Sequence, residues 1–213
     1  MGSEKGSEFE RDVSKQISNW ITDDERDDVL WRSQASGARA KTRAKKNKTL
    51  QGQYGDLAAT DKLAEDLFVC CVFELKRGYS NKAKRTRVDG SVVEASRPMC
   101  LLDCIDSLSS EKPKQFELFA RQVNRDAIRA GWKEPVLIIQ RDRKKSIIVL
   151  RKRLWHEIRS KFPWPSGFRY ITIKLKEYPD PFIVLTLDDF FEWCPYSFFQ
   201  EKAIKMKRKR NDI

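Results

Sequence analysis

Three ionisable residues in the first half of the chain have types and spacing that could do chemistry on a phosphodiester. Glu74 and Lys76 stand two positions apart at the end of an apolar run, Leu67–Leu75. In a β-strand, residues i and i+2 point to the same side, so this carboxylate and this ammonium would emerge together. The simplest interpretation is an ion pair where the strand reaches solvent, because burying either charge unpaired is costly.

Asp56 favours a second interpretation, in which the same residues form a metal site. It precedes Glu74 by 18 residues, which leaves room for a short strand and a connection into the next strand. Two carboxylates that meet at one point offer the oxygen ligands that suit Mg²⁺, and Mn²⁺ would be able to substitute. The metal would stabilise charge on the phosphate oxygens, and Lys76 would orient or activate the attacking water. The residues therefore predict a metal-dependent phosphodiesterase site.

The charge balance points to a polyanionic partner. The chain has 43 Lys and Arg residues against 31 Asp and Glu residues, a formal net charge of +12. DNA, RNA and an acidic membrane surface would all fit such a charge. There is no apolar run of about 18 residues that would span a membrane. The polar N-terminal segment has no apolar signal-peptide core, so we expect a cytoplasmic protein that is not secreted and has no membrane partner.

Cysteine and histidine usage argues against a disulfide framework or a zinc site. The five cysteines have no framework spacing and no CxxC pair, and His156 is the only histidine. We therefore expect buried or incidental thiols, and no general base at His156.

The elements that must position the acidic residues form an alternation of helices and strands. The run Leu67–Leu75 is typical of a strand buried on both faces, at the centre of a sheet. The other predicted elements are helices over 7–21 and Pro113–Ala130 and strands over Val29–Ser33, Val136–Gln140, Ser146–Leu150, Tyr170–Leu175 and Phe182–Leu187. This order predicts an α/β domain with a mixed sheet.

Basic segments flank the acidic residues on both sides. Residues 38–53 and 77–98 are predicted loops, and the chain ends in a basic tail, Lys202–Arg210. Flexible cationic segments beside a phosphodiesterase site would bind DNA with marked salt dependence. The predicted DNA contacts are Arg39, Arg43, Lys45, Lys46, Arg77, Lys84 and Arg85 in the loops, and Arg121, Gln122 and Arg125 on the polar side of helix 113–130.

Several segments, taken together, resemble the PD-(D/E)xK nuclease superfamily, most closely its Holliday-junction-resolvase-like branch of phage and archaeal enzymes. The similarity covers about residues 6–150, in the family's order. The segments that carry it are Phe9-Glu10-Arg11, Arg32-Ser33 with Ser36-Gly37, Gly55-Asp56-Leu57-Ala58, Phe73-Glu74-Leu75-Lys76, and helix 113–130 followed by Pro135-Val136-Leu137-Ile138. Gly55 stands where the motif's name has a proline.

The resemblance implies a restriction-endonuclease-like core, in which helices flank a central mixed β-sheet. Its catalytic residues would be Glu10, Asp56, Glu74 and Lys76, with Asp56 and Glu74 as ligands of Mg²⁺. It also implies that Arg32, Ser33 and Ser36 lie beside the DNA, that the substrate is branched and that the enzyme is a homodimer. Residues 1–150 would form the nuclease core, and residues 151–213 a C-terminal extension of the same domain.

Three alternatives remain open at this point. Glu10 would also fit a helix-capping box with Ser7. Residues 151–213 would be able to read bases in a sequence-specific, restriction-type endonuclease. A non-catalytic nucleic-acid-binding protein would use the basic loops with aromatic residues such as Trp31, Trp132 and Trp164.

Overall fold

The computed structural model describes residues 2–33, 54–78, 80–98, 101, 114–141 and 144–211. The helices are α1 Gly2–Ile21, α2 Glu65–Cys70, α3 Gln115–Arg129, α4 Lys152–Arg159, α5 Leu187–Trp193 and α6 Ser197–Asn211. The strands are β1 Leu30–Arg32, β2 Leu57–Ala59, β3 Cys71–Arg77, β4 Ser80–Thr86, β5 Val92–Pro98, β6 Glu134–Gln140, β7 Ile147–Arg151, β8 Ile171–Ile173 and β9 Phe182–Thr186.

A five-stranded mixed sheet organises the core, in the order β3-β6-β7-β9-β8. Strands β3 and β6 are parallel, and the other neighbours are antiparallel. One face packs against α1, α2, α4, α5 and α6 in the larger apolar cluster. The other face packs against α3 in a smaller cluster. This confirms the predicted α/β, restriction-endonuclease-like core, with a mixed sheet flanked by helices.

Helix α3, which covers the sheet face with the smaller cluster, lies where the sequence predicted a helix. Its apolar stripe is buried, and the Glu117 carboxylate accepts a hydrogen bond from Lys114 N at 2.7 Å across the first turn. Gly131 follows the helix at φ +89°, a left-handed conformation that favours glycine and ends the helix. The strands predicted over 136–140 and 146–150 pair antiparallel as β6 and β7, and the two later predicted strands are present as β8 and β9.

The apolar run was predicted incorrectly in two respects. Residues Leu67–Cys70 belong to helix α2, and the strand begins only at Cys71. An apolar run without alternation does not distinguish a buried helix from a buried strand, and here it spans both. Among the described strands, β3 lies at an edge of the five-stranded sheet and β7 at its centre.

Two basic regions form regular secondary structure where a loop and a tail were predicted. The segment 77–98 is not a loop, because β4 and β5 pair antiparallel from Ser80 with Pro98 to Thr86 with Val92. The whole of the tail Lys202–Arg210 belongs to helix α6, which packs against α2. Residues 38–53 lie outside the described residues, and so does nearly all of the helix expected over Met99–Leu108.

Helix α1 starts earlier than predicted, at Gly2, so Ser7 is not its N-cap and the capping-box interpretation of Glu10 is wrong. Its buried residues Phe9, Val13 and Ile17 face the larger cluster, as the spacing predicted. Cys70, Cys71 and Cys194 are buried free thiols. Within the described part of the chain, we find no helix long and apolar enough to cross a membrane.

Candidate active site

Strand β3 carries Glu74 and Lys76 on the side of the sheet that faces α3. Phe73 and Leu75 alternate with them and enter the larger cluster on the opposite face. The Lys76 ammonium donates to Glu74 Oε1 and lies 5.4 Å from the centre of the Phe119 ring. Only 3% of Glu74 and 9% of Lys76 is exposed. The expected ion pair is therefore present, but it is buried and does not mark the point where the strand reaches solvent.

Asp56 lies against the free edge of β3, directly beside Glu74. Its amide donates to Phe73 O at 2.7 Å, and its Oδ2 accepts from Leu75 N at 2.8 Å. These two hydrogen bonds bracket Glu74 in the strand. The backbone hydrogen bonds therefore bring Asp56 next to Glu74, as the spacing predicted.

The glycine before Asp56 explains the departure from the motif's proline. Gly55 has φ +89°, whereas a proline ring holds φ near about −65°. A Cβ at Gly55 would lie 2.3 Å from Phe73 O, closer than any side chain tolerates. Glycine is required because the loop that carries Asp56 passes this close to the backbone of β3.

Ser33 holds that loop from the other side. Strand β1 pairs with β2, and beyond the last pair the Ser33 amide donates to Asp56 O at 2.8 Å. Its hydroxyl donates to Gly55 O at 2.7 Å, and only 4% of the residue is exposed. The described contacts of Ser33 thus position the Asp56 loop, and its contact with DNA stays a prediction.

Glu10 approaches the site from α1 and is tied to β1. Its Oε2 accepts from Arg32 Nε at 2.5 Å, and two residues earlier Glu8 pairs with Arg77 at 3.1 Å. The negative charge of Glu10 raises the pKa of Asp56, which indicates that the two carboxylates are near one another. Both ion pairs fasten α1 to the strands that carry the site.

Burial and neighbouring charge together raise the pKa values of the two central carboxyl groups. Burial is the main cause that raises the pKa of Asp56 to about 6. Burial, followed by repulsion from Asp56, raises the pKa of Glu74 to about 7, against the opposing effect of Lys76. Such shifts of carboxyl groups in one cluster are typical of functional sites.

Helix α3 supplies two further polar groups, one of them not identified from the sequence. Gln122 Nε2 donates to Glu74 Oε1, the same oxygen that Lys76 contacts. Asp126, one helical turn later, raises the pKa of both Asp56 and Glu74 through its charge, and burial raises its own pKa. The four-residue spacing of Gln122 and Asp126 on a helix was the signal that would have found Asp126.

The donor set fits a hard divalent cation. Mg²⁺ is often held by one or two carboxylates, with water and substrate phosphate completing its six ligands. Asp56 and Glu74 provide two such carboxylates, and their mutual repulsion would be relieved by a cation. In the described part of the chain no three His, Cys, Asp or Glu side chains are grouped to enclose a metal ion.

The remaining predicted DNA contacts are only partly described. Arg125 is exposed, and the exposed guanidinium of Arg121 pairs with Glu177. Arg77 is partly buried at the end of β3. Lys84 and Arg85 belong to β4. The predicted contacts outside the described residues are Ser36, Arg39, Arg43, Lys45 and Lys46.

Comparison with known families bears on the second half of the chain. A family described as "phage putative PDDEXK endonuclease" matches residues 105–200. No curated protein and no solved structure matches the chain. The matched segment contains α3, and with it Gln122 and Asp126, but not Asp56, Glu74 or Lys76.

The match and the motif are therefore complementary. The family match falls on α3 and the strands after it, whereas the two acidic residues and the lysine are joined to that region by the β3–β6 pairing and by Gln122. With the mixed sheet and its flanking helices, the match over residues 105–200 supports the resemblance of the chain to the PD-(D/E)xK nuclease superfamily.

Proposed function

We propose that this protein is a Mg²⁺-dependent DNA endonuclease that hydrolyses phosphodiester bonds at Asp56, Glu74 and Lys76, with Mn²⁺ able to substitute. The observation that carries the proposal is the placement of Asp56 beside Glu74. Its carboxylate is fixed by Leu75 N at 2.8 Å, and both carboxyl groups have a raised pKa. A buried and a half-buried carboxylate brought together at an edge strand, with an ammonium alongside, make a site for a cation and a phosphate.

Each side chain has a role that follows from its contacts. Asp56 and Glu74 would hold the metal, and when bound the metal would stabilise charge on the phosphate oxygens. Lys76 and Gln122 both contact Glu74 Oε1 and so fix the orientation of that carboxylate. Lys76 would also orient the attacking water, and Glu10, held by Arg32, would complete the acidic side of the site.

The hydrolysis is balanced without any other reagent. The water oxygen forms a bond to phosphorus, and the bond between phosphorus and one ester oxygen breaks. One proton of the water leaves to solvent or a nearby base, and the departing oxygen accepts a proton.

Branched DNA is the proposed substrate, by resemblance to the Holliday-junction-resolvase-like branch. The net charge of +12 supports a nucleic-acid partner. A junction presents two related strands to be cut, so a homodimer is part of this proposal.

Nicking of supercoiled plasmid tests the chemistry. We expect nicking with Mg²⁺ or Mn²⁺ and none with a chelator. Lys76→Met should abolish nicking while DNA binding stays largely intact. The matched control is Lys145→Met, because Lys145 is exposed and pairs with Asp188 at 3.0 Å. A protein that binds DNA but never nicks it with either metal would instead be a non-catalytic binding protein.

A second experiment separates the substrate classes. A synthetic four-way junction and linear duplexes of matched sequence are digested side by side, and light scattering gives the mass in solution. Preferential cutting of the junction by a dimer supports the proposal. Cutting of linear duplex at one recurring sequence would establish a restriction-type enzyme instead.

A further inference from the structure

One side of α3 leads away from the candidate active site and remains in solvent. Gln122, Arg125 and Arg129 are spaced at i, i+3 and i+7, which places them on the same side of a helix. Gln122 contacts Glu74, whereas Arg125 and Arg129 are exposed. Trp132 follows just beyond the end of the helix. We call these four residues the α3 stripe.

Trp132 has an unusual conformation and little burial to offset it. It has φ +61°, directly after Gly131 at φ +89°. A bulky residue rarely adopts a left-handed backbone conformation, because its Cβ is crowded there. Yet 76% of Trp132 is exposed, so the ring gains little from the protein core. A strained residue that contributes so little to packing is a candidate for a functional role.

The charges along the α3 stripe fit a phosphate backbone. Arg129 is 60% exposed at its side chain, and its only neighbouring acid among the described ion pairs is Asp126, at the long distance of 3.8 Å. Arg121, which leans away from the stripe, is instead paired with Glu177. Arg125 and Arg129 therefore present positive charge beside a site that we propose cuts DNA.

Cations next to an exposed aromatic ring favour single-stranded DNA over a duplex. In a single strand the phosphates follow the cations, and an unpaired base stacks on the aromatic ring. In an intact duplex the base faces are stacked on one another, so phosphates and groove edges alone are available for contact. The exposed ring of Trp132 can therefore stack on a DNA base only where that base is unpaired.

We propose that Trp132 stacks on an unpaired base of a single-stranded DNA branch, while Arg125 and Arg129 contact the phosphates between that base and the cleavage site. This inference rests on the proposed function, because it takes the Asp56–Glu74 site as the place of cleavage. Arg129 is seven positions beyond Gln122, about 10 Å along α3 at ~1.5 Å per residue, and Trp132 follows three residues later. A branch of a few nucleotides is therefore long enough to reach from the proposed cleavage site to Trp132.

Binding to a series of branch lengths tests the inference. Labelled duplexes carry an oligothymidine branch of zero to about eight nucleotides, in either polarity, and anisotropy is measured in a chelator so that cleavage plays no part. The wild-type affinity should rise about tenfold as the branch lengthens to a few nucleotides and then level off, a gain of ~1.4 kcal/mol. All variants should bind the unbranched duplex equally.

Three substitutions isolate the ring. Trp132→Gly should remove the rise, and Trp132→Phe should retain most of it because phenylalanine also stacks. Leu118→Ala is the matched control, since Leu118 is an exposed apolar residue (44%) of the same helix that lies before Gln122. Trp132→Gly should melt no lower than wild type, because glycine suits φ +61°; a lower melting temperature would mean that the ring is structural and would overturn the inference.

The two proposals fail in different ways. If wild type cleaves DNA with Mg²⁺ but Trp132→Gly shows the same dependence on branch length, the stacking inference is overturned and the nuclease stands. If the rise depends on Trp132 but wild type cleaves none of these DNAs with either metal, the stacking contact stands and the nuclease proposal fails.

Discussion

Two buried glutamates on neighbouring parallel strands of the sheet have opposite electrical surroundings. Glu134 on β6 is 7% exposed, and its carboxylate contacts Arg153 at 3.1 Å and Lys202 at 3.9 Å. Glu74 on β3 is 3% exposed, and among the described residues its carboxylate pairs with one cation, Lys76.

The carboxylates around Glu74 make the difference larger. Burial raises the pKa of Glu74 to about 7, and repulsion from Asp56 and Asp126 adds to that rise. A carboxylate matched by cations stabilises the fold, whereas one surrounded by other carboxylates is costly to keep and calls for a bound cation. The comparison separates a structural acid from a functional one, and it can be tested directly.

The largest expected effect is on cleavage. Glu74→Gln should lower the initial rate of plasmid nicking with Mg²⁺ by about a thousandfold, because a metal contact contributes several kcal/mol to the transition state. Glu134→Gln, the control, should leave the rate per folded molecule within about twofold. Equal losses in the two variants would show that activity follows folding and not the site.

Glu134 should matter for stability, although it should not matter for cleavage. Glu134→Gln leaves Arg153 without its counter-charge, whereas Lys202 keeps its pair with Glu157, and we expect the free energy of unfolding to fall by about 2 kcal/mol. Urea denaturation of the metal-free protein measures this. No change would mean that Arg153 is satisfied by solvent and that this glutamate is not structural.

Asp56→Asn should instead stabilise the metal-free protein at alkaline pH. Burial raises the pKa of Asp56 from 3.8 to about 6, so folding favours the protonated form. That contribution is complete below pH 3.8 and is lost as the pH rises through about 6. Asparagine is neutral throughout, so we expect a gain on the order of 1–2 kcal/mol at pH 8 and almost none near pH 4. Melting curves in a chelator at the two pH values measure this gain. If Asp56→Asn were less stable than wild type at pH 8, burying the ionised Asp56 carboxylate would not be costly and the interpretation would be wrong.

The sequence predicted those parts of the fold and site that depend on local geometry. Residues two apart on a strand share a side by geometry, so the pairing of Glu74 with Lys76 followed from local rules. Helix α3 and the strands β6 and β7 had clear periodicity and turn residues, and they formed as predicted. The convergence of Asp56 on Glu74 was predicted from the 18-residue spacing and supported by the family motif, and not from periodicity.

What the sequence could not predict depends on contacts between distant segments. Nothing local distinguishes the helical residues Leu67–Cys70 from the strand that follows, because both are buried and apolar. The Gln122–Glu74 hydrogen bond joins residues 48 positions apart. The hairpin β4–β5 was missed because its strands are polar and basic, a composition that usually indicates a loop.

The smallest expected effect concerns the support of Glu74. Gln122→Leu removes a donor to Glu74 Oε1 and should lower kcat about tenfold, with DNA affinity nearly unchanged. The control is Gln140→Leu, since the Gln140 amide makes only a 3.5 Å contact with Lys144 O. A loss of DNA affinity at unchanged kcat would instead favour the predicted DNA contact of Gln122.

The central claim is that Asp56 and Glu74 hold one divalent cation together, and a calorimetric titration with Mn²⁺ in the absence of DNA tests it most directly. We predict binding by the wild-type protein at pH 8, weaker binding as the pH falls below about 7 because protons compete for the carboxylates, and unchanged binding by Glu134→Gln. Asp56→Asn and Glu74→Gln should each lose the binding. Wild-type affinity for Mn²⁺ in both of these variants would contradict the account.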